Sequence, residues 1–185
     1  MKKTIFRPFA AALLLATPFF FTSCKDDNDD PEPEDENELI TTVEYTLTPI
    51  GGGQAVTATW RDIDGQGGNA PTISTLTLAP NKRYTGSIRF LDETKTPVEN
   101  TTDEVREESY EHLVVYTLNP TSLMTITRTD KDRNNLEVGL STTVQTGAAA
   151  SGSLRIQLRH QPGAKDGTEA PGSDDANVTF PVVLQ

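Results

Sequence analysis

The stretch Leu154-Arg155-Ile156-Gln157-Leu158-Arg159 decides the fold class, because large apolar residues alternate in it with polar ones. A period of two places one set of side chains on each face of an extended chain, which is typical of a β-strand with one buried face. An amphipathic helix would instead repeat its apolar residues every three to four positions. The stretch therefore predicts a strand whose leucines and isoleucine face a core while its arginines and glutamine face water.

The same alternation recurs along the chain, separated by turns rich in glycine, proline and aspartate. The nearly continuous apolar run 112–118 indicates a central strand covered on both faces. The acidic segment 92–108 predicts only one or two helical turns, capped by Thr102 and with too few apolar residues to anchor a longer helix. We expect about nine strands, in the ranges 43–47, 56–61, 73–78, 84–91, 112–118, 123–129, 138–144, 154–158 and 178–184. This pattern favours an all-β, Ig-like antiparallel β-sandwich, with a small closed β-barrel as the alternative.

The N-terminus carries the pattern of a lipoprotein signal. Three basic residues among the first seven precede an apolar run over 8–21, which is short for a membrane-spanning helix. The run ends in Phe21-Thr22-Ser23-Cys24, and Cys24 is the single cysteine of the chain. We expect residues 1–23 to be removed as a signal peptide and Cys24 to be acylated, since two or more acyl chains anchor a protein stably to a membrane.

An acidic tether is expected to follow the lipidated cysteine, over residues 24–38. Positions 25–38, K-D-D-N-D-D-P-E-P-E-D-E-N-E, hold nine of the 27 acidic residues. Because like charges repel and proline stiffens the chain, we expect a disordered spacer that extends about 3.1 Å per residue. Residues 39–185 then form a single β-domain. The formal net charge of −11 argues against nucleic acid as a partner.

Several strings resemble a family of small Bacteroidota lipoproteins. They are the F-T-S-C lipobox, the acidic tether, R-D-I-D-G-Q-G-G-N-A-P-T-I from Arg61, L-D-E-T from Leu91 and L-R-H-Q-P from Leu158. Some such chains carry the label "type 1 periplasmic-binding fold superfamily". That fold needs repeated strand–helix units, whereas the two-residue period of this chain predicts strands alone. The resemblance implies no established activity.

The K-D-D that follows Cys24 resembles the export signal of Bacteroidota lipoproteins, in which a lysine followed by acidic residues directs the protein to the outer leaflet. The resemblance implies an outer-membrane protein that is held by its lipid anchor and faces the cell surface. An anchor that faces the periplasm is the alternative.

The loop from Asp62 to Asn69 is a candidate calcium site. Asp62 and Asp64 stand two residues apart, glycines follow, and Asn69 adds an amide oxygen, all of which suit a hard cation. In the comparison with an EF-hand loop, however, Ile73 takes the place of the bidentate glutamate. Aspartate and glycine are also ordinary turn residues, so a plain loop is the alternative. The segment 130–134 repeats the spacing more weakly.

The two histidines form a second candidate site. His112 shares the strand parity of the apolar residues that follow it, and His160 shares the parity of the apolar residues that precede it. Both imidazoles are therefore expected on the core side, each at a strand end. If the two strands are neighbours, the pair could bind zinc or copper together with Glu108 or Glu111. A histidine bonded to a carboxylate is the structural alternative.

The sequence contains no recognisable catalytic constellation, and we expect a protein that is not an enzyme. No G-x-S-x-G motif occurs, and the one cysteine is expected to be acylated. One function class is a module that binds an unknown protein or small-molecule ligand through the loops 62–71, 92–110 and 161–175. The other is a structural accessory of a membrane complex. Binding of calcium, zinc or copper is the alternative function, and no other cofactor is expected.

Overall fold

A computed structural model describes residues 38–65 and 67–185 of the chain. The predicted signal peptide, Cys24 and the tether up to residue 37 lie outside the described residues. From Glu38 onward, the described residues belong to one compact unit. No helix among them is long and apolar enough to cross a membrane.

The described chain contains ten β-strands, one α-helix and one 3-10 turn. In chain order they are β1 (Thr42–Pro49), β2 (Val56–Arg61), β3 (Thr72–Ile73), β4 (Leu76–Leu78), β5 (Arg83–Leu91), α1 (Thr101–Glu107), β6 (His112–Asn119), the 3-10 turn (Thr121–Leu123), β7 (Met124–Arg128), β8 (Ser141–Thr146), β9 (Ala150–His160) and β10 (Ser173–Leu184).

The strands form two sheets. One has six strands in the order β3-β2-β1-β5-β8-β7, and the other has four in the order β4-β10-β9-β6. Neighbouring strands are antiparallel, apart from the parallel pair of β4 and β10. The predicted all-β sandwich is confirmed, and within the described part of the chain the two sheets do not close into the alternative small barrel.

The core is built from the inward positions of both sheets. In β9 the predicted alternation is confirmed, because Leu154, Ile156 and Leu158 are buried and the residues between them are exposed or half-buried. From the six-stranded sheet, Tyr45 and Phe90 are fully buried in the same core. Each large apolar side chain removed from water contributes about 1.5–3 kcal/mol to the free energy of unfolding. Burial of these inward-facing apolar side chains, which recur every second residue, therefore drives the association of the sheets.

The predicted strand 73–78 is divided between the two sheets. β3 pairs with β2, while β4 runs beside β10. At the crossing, the Thr59 backbone N–H donates to the Ser74 hydroxyl over 2.7 Å. Leu76 and Leu78 are buried, whereas β3 stays exposed. The division explains why there are ten strands rather than about nine.

Helix α1 is anchored better than its composition predicts. Asn100, not Thr102, occupies the N-cap position. The Thr102 hydroxyl instead accepts a hydrogen bond from the Phe90 backbone N–H (2.8 Å) and donates one to the Phe90 carbonyl (3.1 Å). Val105 is fully buried in the core. Two hydrogen bonds to β5 and one valine thus anchor a seven-residue helix, which has the length of one or two turns that the sequence predicts.

Strand β6 is an edge strand, so the predicted central position is wrong. Its first half is nevertheless buried. The Val114 N–H donates to the Val138 carbonyl over 2.7 Å, and the Arg128 guanidinium donates to the Val114 carbonyl over 2.7 Å. The segment that precedes β8 therefore covers the open edge, and β6 acquires the apolar composition of a central strand.

Strand β8 begins at Ser141 rather than at the predicted residue 138. Gly139 has a φ of 99°, a left-handed conformation that ends the extended chain and favours glycine. Val138 and Leu140 are still buried on either side of it. The apolar pattern thus predicts burial correctly here but not the backbone conformation.

Candidate functional site

The two histidines lie directly opposite each other on neighbouring strands. β6 pairs with β9, and their register places His112 against His160. The imidazole rings are stacked, with centroids 4.7 Å apart and planes inclined by 6°. His112 is fully buried and His160 is 4% exposed. The structure therefore brings together the pair that strand parity predicts to face the core.

Asp175 joins the pair because of an irregularity in β10. The register against β9 shifts between Asp174 and Ala176, so Asp175 is the extra residue of a β-bulge. Its side chain is completely buried, with Oδ2 3.6 Å from His112 Nε2 and Oδ1 4.0 Å from His160 Nδ1. In a regular strand, the side chain of Asp175 would lie on the outward face of the sheet, because those of Ala176 and Val178 lie on the inward face. Sequence parity therefore misses this residue.

Glu38 brings a second carboxylate to the same place. Its Oε1 lies 3.6 Å from His112 Nε2, and its side chain is 9% exposed. It is the last residue of the predicted tether and lies just before β1. Sequence analysis misses it because the acidic composition of 25–38 predicts a solvated segment throughout.

Of the two predicted carboxylate partners, Glu108 lies near His112 and Glu111 does not join the pair. The Glu108 carbonyl is 3.1 Å from His112 Nδ1, and since a carbonyl only accepts, Nδ1 carries the hydrogen. Nε2 then points toward the carboxylates of Glu38 and Asp175. A carboxylate oxygen of Glu108 also lies within 4.8 Å of ligand atoms of Glu38 and His112. Glu111 is not in such a group among the described residues, and its carbonyl accepts from the Gln161 N–H.

Several buried polar atoms of this cluster have no hydrogen-bond partner among the described residues. They are His112 Nε2, both carboxylate oxygens of Asp175 and Oε2 of Glu38. Leaving a buried polar group unsatisfied costs about 1–3 kcal/mol, and more if it is charged. A proton shared among these groups, or a cation bound between them, would remove that cost. We name His112, His160, Asp175 and Glu38 the histidine–carboxylate cluster.

Ionisation of both buried carboxylates of the cluster is unfavourable unless a positive charge compensates them. Burial raises the pKa of the Glu38 carboxyl to about 7; the charge of Asp175 adds to this rise and His112 opposes it. Burial alone lowers the pKa of His112, but the adjacent Asp175 and Glu38 carboxylates outweigh that effect and the pKa is raised. The buried carboxylates therefore attract positive charge to His112.

Comparison with known proteins does not assign this chain to a family. No family model matches the sequence, and no curated protein matches it. Among solved structures, the crystal structure of domains 4 and 5 of the S-layer protein SbsC aligns with 76% of this chain and 75% of its own, at 15% sequence identity. The TM-score is 0.33. At that value the likeness carries no weight for function.

The candidate calcium loop is an exposed turn whose side chains bond to one another. Asp62 Oδ1 accepts from the Gly65 N–H over 3.1 Å. Asp64 Oδ2 accepts from the backbone and side-chain N–H groups of Asn69, over 2.9 and 2.6 Å, and these bonds lower its pKa. The Asn69 amide thus presents its nitrogen to Asp64. The repeat at 130–134 is similar, because its aspartates accept hydrogen bonds from nearby backbone N–H groups.

A groove of about 280 Å³ lies between β5, α1 and the segment before β8. Arg89, Arg106 and Lys131 contribute to its lining, together with three serines. Arg89 also pairs with Glu44, and Arg106 with Asp103. The groove includes residues of the predicted binding loop 92–110, and a second concavity of about 360 Å³ follows the loop 62–71.

Proposed function

We propose that this chain is a lipid-anchored β-sandwich module of the outer membrane, displayed on the cell surface, with a binding role. The observation that carries the proposal is the order of features along the chain. A basic and apolar segment ends in F-T-S-C, an acidic stretch follows, and β1 begins almost directly after it, at Thr42. That order suits a domain held away from a membrane by an N-terminal anchor.

The surface of the sandwich supports a binding role over a packing role. The described residues expose five large apolar side chains, which lie in loops, in the segment before β1 or on the short edge strand β3: Leu39, Ile50, Ile63, Ile73 and Val98. None lies on the outward face of a longer strand in the described part of the chain. A structural accessory that packs a sheet face onto a complex needs a continuous apolar patch, which these positions do not provide.

The groove beside α1 supplies the concave surface that a binding module needs. Its volume is near the lower limit for a small-molecule site. Its lining combines Arg89, Arg106 and Lys131 with Asp130 and three serines, which suits a small polar ligand. A catalytic role is not part of the proposal.

Mass spectrometry of the protein purified from native membranes tests the anchor. The expected product begins at an acylated Cys24, and a Cys24→Ala variant should leave the membrane fraction. Protease added to whole cells should degrade the wild-type protein if it faces outward. Replacing Lys25-Asp26-Asp27 with alanines is the matched control, which should keep the acyl group and lose the protease sensitivity. Retention of residues 1–23 with an unmodified Cys24 would refute the proposal.

A further inference from the structure

We propose that the histidine–carboxylate cluster is a zinc site, in which Glu38, His112, His160 and Asp175 are the ligands. This inference goes beyond the anchored binding role and does not depend on it. The sequence suggests only the two histidines and a different pair of carboxylates. The two carboxylates named here come from the bulge of β10 and from the segment that leads into β1.

The donor set matches zinc in chemistry and in charge. Imidazole nitrogens and carboxylate oxygens are both common zinc ligands, and structural zinc is almost always four-coordinate. Two ionised carboxylates and two neutral imidazoles carry a charge of −2, which one Zn²⁺ neutralises. Because all four side chains are more than nine-tenths buried, this neutralisation takes place where an uncompensated charge is costly.

Three distances between the proposed ligand atoms are close to those of a tetrahedral site. Zinc bonds of about 2.0–2.1 Å at tetrahedral angles place neighbouring ligand atoms about 3.3–3.4 Å apart. His112 Nε2 is 3.6 Å from Asp175 Oδ2 and 3.6 Å from Glu38 Oε1. His160 Nδ1 is 4.0 Å from Asp175 Oδ1. His112, His160 and Asp175 present ligand atoms within 4.8 Å of one another, whereas Glu38 belongs to a second such group with His112 and Glu108. Zinc binding therefore requires the Glu38 side chain to rotate toward Asp175 and His160, in addition to small contractions among the other three ligands.

The hydrogen bonding of His112 already has the form found at metal sites. A metal-binding histidine usually donates its second ring N–H to a carbonyl or a carboxylate, which fixes the tautomer and the ring orientation. His112 Nδ1 has this partner in the Glu108 carbonyl, while Nε2 is buried without a hydrogen-bond partner in the described structure. The free nitrogen therefore points at the proposed ion.

The stacking of the two imidazole rings indicates that one of them must turn when zinc binds. Lone pairs of two parallel imidazoles lie in parallel planes, so they cannot converge on one ion without a tilt. His112 is held by Glu108, and its ring is fully buried. His160 sits at the end of β9 and retains slight exposure. We therefore expect the His160 ring to turn on zinc binding and the His112 ring to stay.

Zinc titration of the full chain, solubilised in mild detergent after treatment with a chelator, tests the site. Calorimetry should give one ion per chain, with a Kd on the order of 1 μM or tighter. At a 100-fold excess over Kd, Tm should rise by roughly 5 °C or more. Calcium, a hard cation without preference for imidazole, should give no comparable rise. Cobalt(II) should give the intense visible absorption of a tetrahedral centre.

Two neighbouring aspartates provide matched variants. Asp175→Asn should weaken zinc binding at least tenfold and remove the Tm rise. Asp174→Asn, one residue away with a side chain that pairs with Arg159 at the surface, should leave zinc binding unchanged. Glu38→Gln should weaken binding by about tenfold while keeping one ion per chain.

Two results would overturn the proposal. One is the absence of any zinc-dependent rise in Tm together with the absence of the cobalt absorption. The other is equal zinc affinity of the Asp175→Asn and Asp174→Asn variants. The cobalt spectrum is measured on the wild-type chain, so the test stands even if a variant fails to fold.

Discussion

Lys165 and Asp132 form a buried ion pair that ties two loops to the end of α1. Lys165 Nζ lies 2.8 Å from Asp132 Oδ2, and the two side chains are 2% and 0% exposed. Nζ also donates to the Ser109 carbonyl over 2.8 Å. Asp132 Oδ1 accepts from the N–H groups of Asn134 and Leu136. Both charged groups thus have hydrogen-bond partners inside the protein, and removing either one leaves the other uncompensated.

Asp132→Asn is therefore expected to lower the free energy of unfolding at pH 7 by about 3 kcal/mol. Burial opposes ionisation of Asp132, but Lys165 and the backbone N–H donors outweigh it, so its pKa is below the usual value. A lowered pKa contributes stability above about pH 4, which is lost as the pH falls through the lowered value. The difference between wild type and variant should shrink in that range, as measured by urea unfolding at pH 7 and pH 3.

Asp166→Asn is the control for this prediction. Asp166 is exposed, and its lowered pKa comes from local hydrogen bonds to Thr168. Its replacement should change the free energy of unfolding far less than Asp132→Asn does. Equal effects of the two substitutions would mean that burial of the pair adds nothing to its strength.

Among the secondary-structure elements, α1 is held in place more by the hydroxyl of Thr102 than by burial of an apolar face. Thr102→Val keeps the shape of the side chain but leaves the Phe90 backbone N–H without its side-chain partner. We expect a loss of about 1–3 kcal/mol in the free energy of unfolding, together with faster hydrogen exchange in α1. Thr102→Ser keeps the hydroxyl and should lose less. An equal loss in the serine variant would assign the effect to methyl packing.

Strands are predicted well from this sequence wherever one face is buried and the register is regular. The alternation in β9 gives its core residues, because burial of every second residue is a local property, but the strand extends over Ala150–His160, beyond the predicted range 154–158. Position within a sheet is not local: β6 has the composition of a central strand because another segment covers its edge. The division of 73–78 into β3 and β4 cannot be predicted from the local pattern either, because it depends on the strands with which the two halves pair.

The histidine–carboxylate cluster shows the same limit. His112 and His160 follow from parity alone, since both keep the register of their strands. Asp175 cannot be predicted from parity, because a bulge at this single residue reverses the face on which its side chain lies. Glu38 cannot be either, because its burial depends on the place where the acidic stretch meets the folded domain. Irregular backbone and chain junctions, which carry no periodic signal, supply both carboxylates.

For the molecule as a whole, the proposed zinc ion would fix the junction between the acidic stretch and the sandwich. Glu38 precedes Leu39, whose side chain is 60% exposed, and β1 begins three residues later, at Thr42. A ligand bond at Glu38 should hold this junction against the domain. Proteolysis of a locally opened segment follows the population of the open form, so zinc at ten times Kd should slow chymotrypsin cleavage after Leu39 roughly tenfold.

The Glu38→Gln variant separates this effect from zinc binding itself. It keeps His112, His160 and Asp175, so it should still bind zinc at a higher concentration, yet cleavage after Leu39 should no longer depend on the metal. Mass spectrometry of the fragments measures the cleavage, and sites elsewhere in the domain serve as the internal reference. Protection that persists in Glu38→Gln would mean that zinc stabilises the whole sandwich and that the junction is not held through Glu38.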